Sequence, residues 1–250
     1  MTSPQIAGTT ALVTGASRGF GHAIAVALHG AGAQVVGLAR DAARLAELSD
    51  ELGDRFTPVV ADATDPVTAG SLIEQHRPTT LVLNAGAAPL NRPIHQHTWQ
   101  TFSRTWEVDT QQAFNWIREA LLLPLEPGST VIAMSSGAAL NGSPLSGGYA
   151  GAKAAVRFVT RYAAEESERA GLGVRFISVL PKLTPATDLG AVAVAAYAGR
   201  AGLDIATFLD RFGPSLTPGE VGDAIVDLAT STKYEPGGYL LTPAGLSVVP

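Results

Sequence analysis

The chain has 250 residues, 46% of them hydrophobic and 16% charged, which is enough apolar material for a large core in a single domain. Its net charge of -5, with no run of Lys or Arg, gives no footing on nucleic acid or an anionic membrane, so a small-molecule partner is expected. Cysteine is absent, which excludes disulfides and thiolate metal sites and fits a reducing compartment.

The start "MTSPQIAGTT" lacks a basic and apolar signal, and the longest apolar stretch, around "AVAVAAYA", is too short to span a bilayer. A soluble, cytoplasmic protein is expected. From residue 10 onward, short apolar runs typical of buried parallel strands recur at "TALVTG", "QVVGLA", "FTPVVA", "TTLVLNAG", "STVIAMSS" and "GVRFISVLP", separated by helix-like segments. This alternation predicts an α/β fold: a Rossmann-like doubly wound parallel β-sheet flanked by helices, spanning 1–250 as one domain. The first strand turns through Gly15, Gly19 and Gly21 into an Ala-rich helix. Glycines there permit a tight turn and let backbone N–H groups approach an anion at the positive end of the helix dipole. Asp65-Pro66 marks one helix start and the capping-box spacing Thr217 to Glu220 another. A long helix is predicted from about Thr98 to near Pro124. Trp106, Asp109, Ala113 and Trp116 or Ile117 fall along its inward stripe.

After the fifth strand, "GGYAGAKAAVRF" places Tyr149 and Lys153 one helical turn apart, on one face. A nearby ammonium favours the phenolate, so the pair is a candidate general acid/base. After the sixth strand, the Ala-rich segment from Leu189 to Phe212 interrupts the alternation. It is expected to cover a site and to supply an apolar pocket wall with Tyr197 and Phe208. His95 and His97 form a His-x-His without an assured third ligand, so solvent-facing loop histidines are expected and no metal site.

"TGASRGFG" after the first strand, "NAG" at Asn84, Ala85 and Gly86 after the fourth, Ser136 after the fifth, and Tyr149 with Lys153 together resemble the short-chain dehydrogenase/reductase family over nearly the whole chain. The resemblance implies that Tyr149 exchanges a proton with the substrate oxygen. It also implies that Lys153 lowers the pKa of Tyr149 and holds the cofactor ribose, and that Ser136 hydrogen-bonds the reacting oxygen. Ser135 reads as a strand-end hydroxyl bonded to backbone. Cofactor contacts are implied at Gly15, Ser17, Arg18, Gly19, Phe20 and Gly21 of the first turn, at the "NAG" residues, and at Tyr149 and Lys153. Asp62 corresponds to the position that contacts adenine, and Pro181 and Thr187, the latter with one residue inserted, to positions near the nicotinamide. Family members that bind NAD usually offer a carboxylate after the second strand, whereas this chain has Arg40 there and Arg18 in the turn. Guanidinium groups at both places favour the 2'-phosphate of NADP(H).

Two departures stand out. Asp109, in "VDTQQAF", occupies the place of an Asn that completes a Ser-Tyr-Lys tetrad, and Asp109 is therefore included among the candidate catalytic residues. Lys182 replaces a Gly beside the expected nicotinamide. Helix residues "RYAAEESERA" lack the basic face of carrier-protein-docking relatives, which disfavours a carrier-bound substrate. The expected function is NADPH-dependent hydride transfer to or from a small apolar carbonyl or alcohol. The alternative is an NADP-binding protein with a non-redox or regulatory role. Pairing of long helices between subunits implies a homodimer or homotetramer, with the apolar tail "GGYLLTPAGLSVVP" as a further sticky surface.

Overall fold

The computed structural model describes residues 6–249; residues 1–5, part of the stretch read as lacking a signal, and Pro250, the end of the apolar tail, lie outside them. The first half of the chain folds as β1 (Thr10–Thr14), α1 (Gly19–Gly30), β2 (Gln34–Ala39), α2 (Ala42–Leu52), β3 (Phe56–Val60), α3 (Pro66–His76) and β4 (Thr80–Leu83). Next come α4 (Trp99–Ser103), a π-turn (Trp106–Thr110), α5 (Gln111–Leu122), β5 (Thr130–Met134), α6 (Ala138–Asn141), α7 (Tyr149–Arg169) and β6 (Arg175–Pro181). The chain ends with α8 (Asp188–Arg200), α9 (Ile205–Phe212), α10 (Pro218–Thr230), β7 (Gly237–Thr242) and β8 (Gly245–Val249).

The strands form one sheet in the order β3-β2-β1-β4-β5-β6-β7-β8, parallel except for β8. Every residue of β4 and β5 is buried, as expected of strands covered on both faces. The edge strand β3 carries Pro58 and is largely open, a place where a missing ladder donor is tolerated. Alternate residues of β1 face opposite layers. Ala11 and Val13 pack with Ile24, Leu28, Val221 and Ile225 of α1 and α10, whereas Leu12 packs with Ile73, Trp116, Ile117 and Val156 of α3, α5 and α7.

The Asp65 cap and the Thr217–Glu220 capping box form as predicted. The apolar tail folds back as the β7–β8 hairpin, burying Tyr239 and Leu241 against the core and leaving Val248 of the edge strand β8 75% exposed. Two expectations need correction. The long helix is broken at the π-turn, where the Gln111 N–H reaches Trp106 O, five residues back. That extra residue shifts the face presented, so Asp109, Ala113 and Trp116 are buried while Trp106 is 40% exposed. Among the described residues no single helix is long and apolar enough to cross a membrane.

The strand order reverses between β1 and β4. In open α/β sheets this switch point, at the carboxyl ends of the strands, is where a crevice forms.

Candidate active site

The crevice opens into a cavity of about 1160 Å³ that runs from the glycine turn, past the ends of β4 and β5, to α8 and α9. Pockets for one small ligand hold roughly 300–1,000 Å³, so this cavity suits an extended ligand together with a small second molecule.

At one end, Gly15 (φ +69°) and Gly19 (φ +57°) take left-handed backbone that glycine tolerates. A Cβ on Gly21 would lie 2.0 Å from Gly15 O, and one on Gly15 would lie 2.8 Å from Ala85 Cα. The turn closes because those side chains are absent. Ser17, Arg18 and Phe20 line the cavity beside it, where the N-terminus of α1 favours an anion. Asn84 Nδ2 ties the turn to β4 by donating to the carbonyls of Thr14 and Gly15, each at 3.2 Å. Thr14 was not singled out in the sequence. Its buried hydroxyl accepts the N–H groups of Asn84 at 2.9 Å and Ala85 at 3.0 Å and lies 3.3 Å from Gln112 Oε1. A hydroxyl residue ending an otherwise apolar buried strand was its signal.

Arg40 Nη1 lies 3.8 Å from Asp62 Oδ2, and Arg18 Nη1 lies 3.9 Å from Asp188 Oδ2. Both arginine side chains are well exposed, and such loose surface pairs contribute little. Their guanidinium groups can therefore turn to another anion at little cost. Asp62 lines the cavity and also makes a turn: it accepts the N–H and hydroxyl of Thr64, both at 2.9 Å. The Thr64 N–H above all holds its carboxyl below the usual carboxylate range. Trp116 Nε1 donates to Ala63 O at 2.9 Å and Asn115 Nδ2 to Thr64 O at 2.8 Å, fixing this loop from beneath. In the sequence Trp116 marks only an inward-facing position, and Asn115 carries no signal of its own.

Toward the other end, Tyr149 opens α7, half-buried on the cavity wall, with Lys153 Nζ 5.7 Å from its ring centre. Lys153, 5% exposed, donates to Met134 O at 2.9 Å and pairs with Asp109 Oδ2 at 3.0 Å. Asp109, 1% exposed, also accepts the Ala87 N–H at 2.7 Å. The carboxylate presses so closely on Gly86 that a Cβ there would lie 2.9 Å from Oδ2. The buried Asp109 thus has the partner its burial demands. Ser136 lines the cavity beside Tyr149, and Ser135 donates to Lys153 O at 2.7 Å, the backbone tie expected of it.

Burial pushes the Tyr149 phenol above its ordinary value; the Lys153 ammonium opposes this, Asp109 adds to it, and a hydrogen bond with Ser136 opposes it. The expected downward pull of Lys153 is therefore present, but burial outweighs it and corrects the expected net direction. For Lys153 itself burial disfavours the charge, yet the neighbouring Asp109 carboxylate and then Tyr149 carry its pKa above the usual value.

Pro181 O accepts the Gly137 N–H at 3.0 Å at the cavity floor. Thr187 caps α8, accepting the Gly190 N–H at 3.1 Å, and its methyl would lie 3.7 Å from a Cβ on Gly19, which puts it beside the glycine turn. Lys182 lines the same cavity, with its ammonium directed to α9. His97 departs from the solvent-facing expectation. It is half-buried against Gly147, with Nδ1 3.1 Å from Thr101 Oγ1 and Nε2 3.2 Å from Arg92 O, because its loop folds back on the start of α7. Among the described residues no three potential metal ligands converge.

The sequence profile of the family described as short chain dehydrogenase matches residues 9–197, which hold the glycine turn, Asn84, Asp109, Ser136, Tyr149 and Lys153. The chain belongs to the short-chain dehydrogenase family. This short-chain dehydrogenase is 32% identical over 195 residues to a probable NADP-dependent dehydrogenase of Haemophilus influenzae, an alignment covering 74% of this chain and 75% of that one. It is 30% identical over 254 residues to an L-rhamnose 1-dehydrogenase (NAD(P)(+)) of a Sphingomonas species, covering 96% and 97% of the two chains. A 3-ketoacyl-(acyl-carrier-protein) reductase from Brucella melitensis, solved in complex with NADH, shares the fold with a TM-score of 0.78 at 23% identity, over 94% of this chain and 97% of that one.

Proposed function

We propose that the protein is an NADPH-dependent oxidoreductase that moves hydride between nicotinamide and the carbonyl or secondary-alcohol carbon of a small apolar substrate, a carbonyl reductase in the reducing direction. The observation that carries this reading is the meeting of Ser136, Tyr149 and the Asp109-paired Lys153 on a cavity whose other end is the glycine turn. That cavity fits a dinucleotide. The turn closes tightly because Gly15 and Gly21 carry no Cβ, and it presents its amides at the start of α1, where a pyrophosphate would be held. When bound, the nicotinamide group supplies or accepts the hydride.

The protein's residues do the rest. Tyr149 delivers a proton to the carbonyl oxygen, or takes one from the alcohol, and Ser136 donates a hydrogen bond to that oxygen as charge builds on it. Lys153 stabilises the phenolate, while Asp109 and Met134 O hold its ammonium in place. Gly15, Ser17, Arg18, Gly19, Phe20 and Gly21 would hold the phosphates. Asp62 would meet the adenine, Asn84, Ala85 and Gly86 would hold the ribose, and Pro181 and Thr187 would stand near the nicotinamide. Residues 189–212 cover the substrate within a single domain, with Tyr197, Phe208 and Phe212 on the cavity side. A screen of ketones with NADPH and of alcohols with NADP tests the activity; cofactor binding without turnover of any of them would leave the regulatory alternative standing.

NADP(H) is preferred over NAD(H) because Arg18 and Arg40 stand at the cavity edge in exposed, easily exchanged pairs. The Haemophilus relative carries NADP in its name, which supports the same choice. NADPH should bind at least on the order of tenfold more tightly than NADH, and Arg40→Ala or Arg18→Ala should narrow that gap, since a guanidinium-to-phosphate hydrogen bond is charge-assisted. Titration of both cofactors measures it, and equal affinities in the wild type would sink the assignment.

Phe114 and Leu122 on α5 and Phe158 and Tyr162 on α7 are large exposed apolar groups on neighbouring helices. A homodimer or homotetramer burying these faces is expected, and sedimentation as a monomer at micromolar concentration in analytical ultracentrifugation would contradict it. A cytoplasmic location, apart from nucleic acid and membranes, is part of the same proposal; the net charge of -5 and the lack of cysteine are in keeping with it.

A further inference from the structure

Lys182 stands where the resemblance calls for glycine, and the chemistry above does not use its side chain. Its backbone is fixed to the sheet: Lys182 N–H donates to Leu241 O at 2.9 Å, one residue after Pro181 O accepts Gly137 N–H. From this base the ammonium reaches α9, donating to Phe212 O at 2.9 Å and lying 4.4 Å from the centre of the Phe212 ring. Phe212 is the last residue of α9, so its carbonyl is among those a helix leaves without an intrahelical partner, at the negative end of its dipole. A cation there satisfies both. Phe208 stacks on Phe212 at 5.8 Å and 21°, and both rings line the cavity.

This helix depends on such a tether. None of its eight residues is fully buried, and only Thr207, Phe208, Leu209 and Phe212 are half-buried, so core packing holds it weakly. The chain bends through left-handed glycines on either side, at Gly202 (φ +67°) and Gly213 (φ +74°). The buried hydroxyl of Thr184 donates to Leu216 O just beyond, so the segment 182–184 grips the returning limb at two points. Of the two, Lys182 grips the helix itself.

We infer that Lys182 is a positioning residue, a latch that fixes Phe212 and Phe208 as the aromatic wall of the substrate end and thereby sets how tightly an apolar carbonyl compound is held. The substrate effect rests on the oxidoreductase reading; the latch itself is measured without turnover. Hydrogen–deuterium exchange over residues 204–213 of the intact protein compares wild type with Lys182→Met, which keeps the stem and loses the charge, and with Lys182→Arg, which keeps the charge. Exchange should be about tenfold faster in Lys182→Met and near wild type in Lys182→Arg, because a charge-assisted bond to a weakly packed helix is lost only in the first. With an apolar ketone, Lys182→Met should raise KM about tenfold and leave kcat within about threefold, the pattern of lost uniform binding, and Lys182→Arg should restore KM.

Equal exchange in wild type and Lys182→Met overturns the latch. So does faster exchange spread equally over β6 and β7, which would mark a general loss of structure, and so does an unchanged KM. If no carbonyl compound is turned over, the oxidoreductase reading fails while the exchange result still decides the latch. Lys182→Gln gives the same comparison should the methionine variant not fold.

Discussion

Tyr149→Phe should yield a folded protein that binds NADPH nearly as tightly as wild type and turns over at least ~100-fold more slowly, the scale of a lost general acid. The substitution removes one hydroxyl and keeps the ring that opens α7 and faces the Lys153 ammonium. The glycine turn and both arginines lie elsewhere on the cavity, so the phosphate-binding region keeps its shape. A fluorescence titration of NADPH together with single-turnover kinetics separates the two properties. Near-normal turnover in the folded variant would remove Tyr149 from the mechanism, whereas loss of NADPH binding would make its role one of holding the cofactor.

The residues that were legible in the sequence are those whose local pattern carries a physical constraint. Gly15 and Gly21 stand at positions where a Cβ has no room, and the continuous apolar runs of β4 and β5 are what a strand buried on both faces requires. Tyr149 and Lys153 were readable as a pair because four residues along a helix bring two side chains to one face. What escaped depends on contacts between distant segments. Thr14 gains its role from Asn84, 70 residues away, and Asn115 from a carbonyl 51 residues away. Trp106 was misplaced for a different reason: a periodicity argument assumes a constant 3.6 residues per turn, and the π-turn at 106–110 breaks it. The same irregularity delivers Asp109 to Lys153, in keeping with the frequent occurrence of such turns at functional sites. That "GGYLLTPAGLSVV" forms a strand pair is visible only from the sheet edge offered by β6.

Asp109→Asn should move the pH dependence of kcat/KM for alcohol oxidation to lower pH by roughly half a unit or more, with the fold unchanged. The argument is electrostatic. Alcohol oxidation needs Tyr149 as a base, so its rate rises with pH as the phenol ionises. Burial opposes that ionisation most strongly, Lys153 favours it, and the Asp109 carboxylate, 3.0 Å from Lys153, cancels part of the favourable field. Asparagine is nearly the same shape and can still accept the Ala87 N–H through its oxygen, but it carries no charge. Lys153 then acts on the phenol unopposed, the phenolate is stabilised, and the apparent pKa falls. Removing the carboxylate also leaves a buried ammonium with Met134 O as its remaining close partner, so a loss of thermal stability should accompany the shift. Profiles of both proteins against one alcohol, with Tm recorded beside them, test the two effects together. Superimposable profiles would show that Asp109 contributes no charge to the relay. A shift to higher pH would contradict the sign of the field and with it the assignment of Lys153 as the group that favours the phenolate of Tyr149.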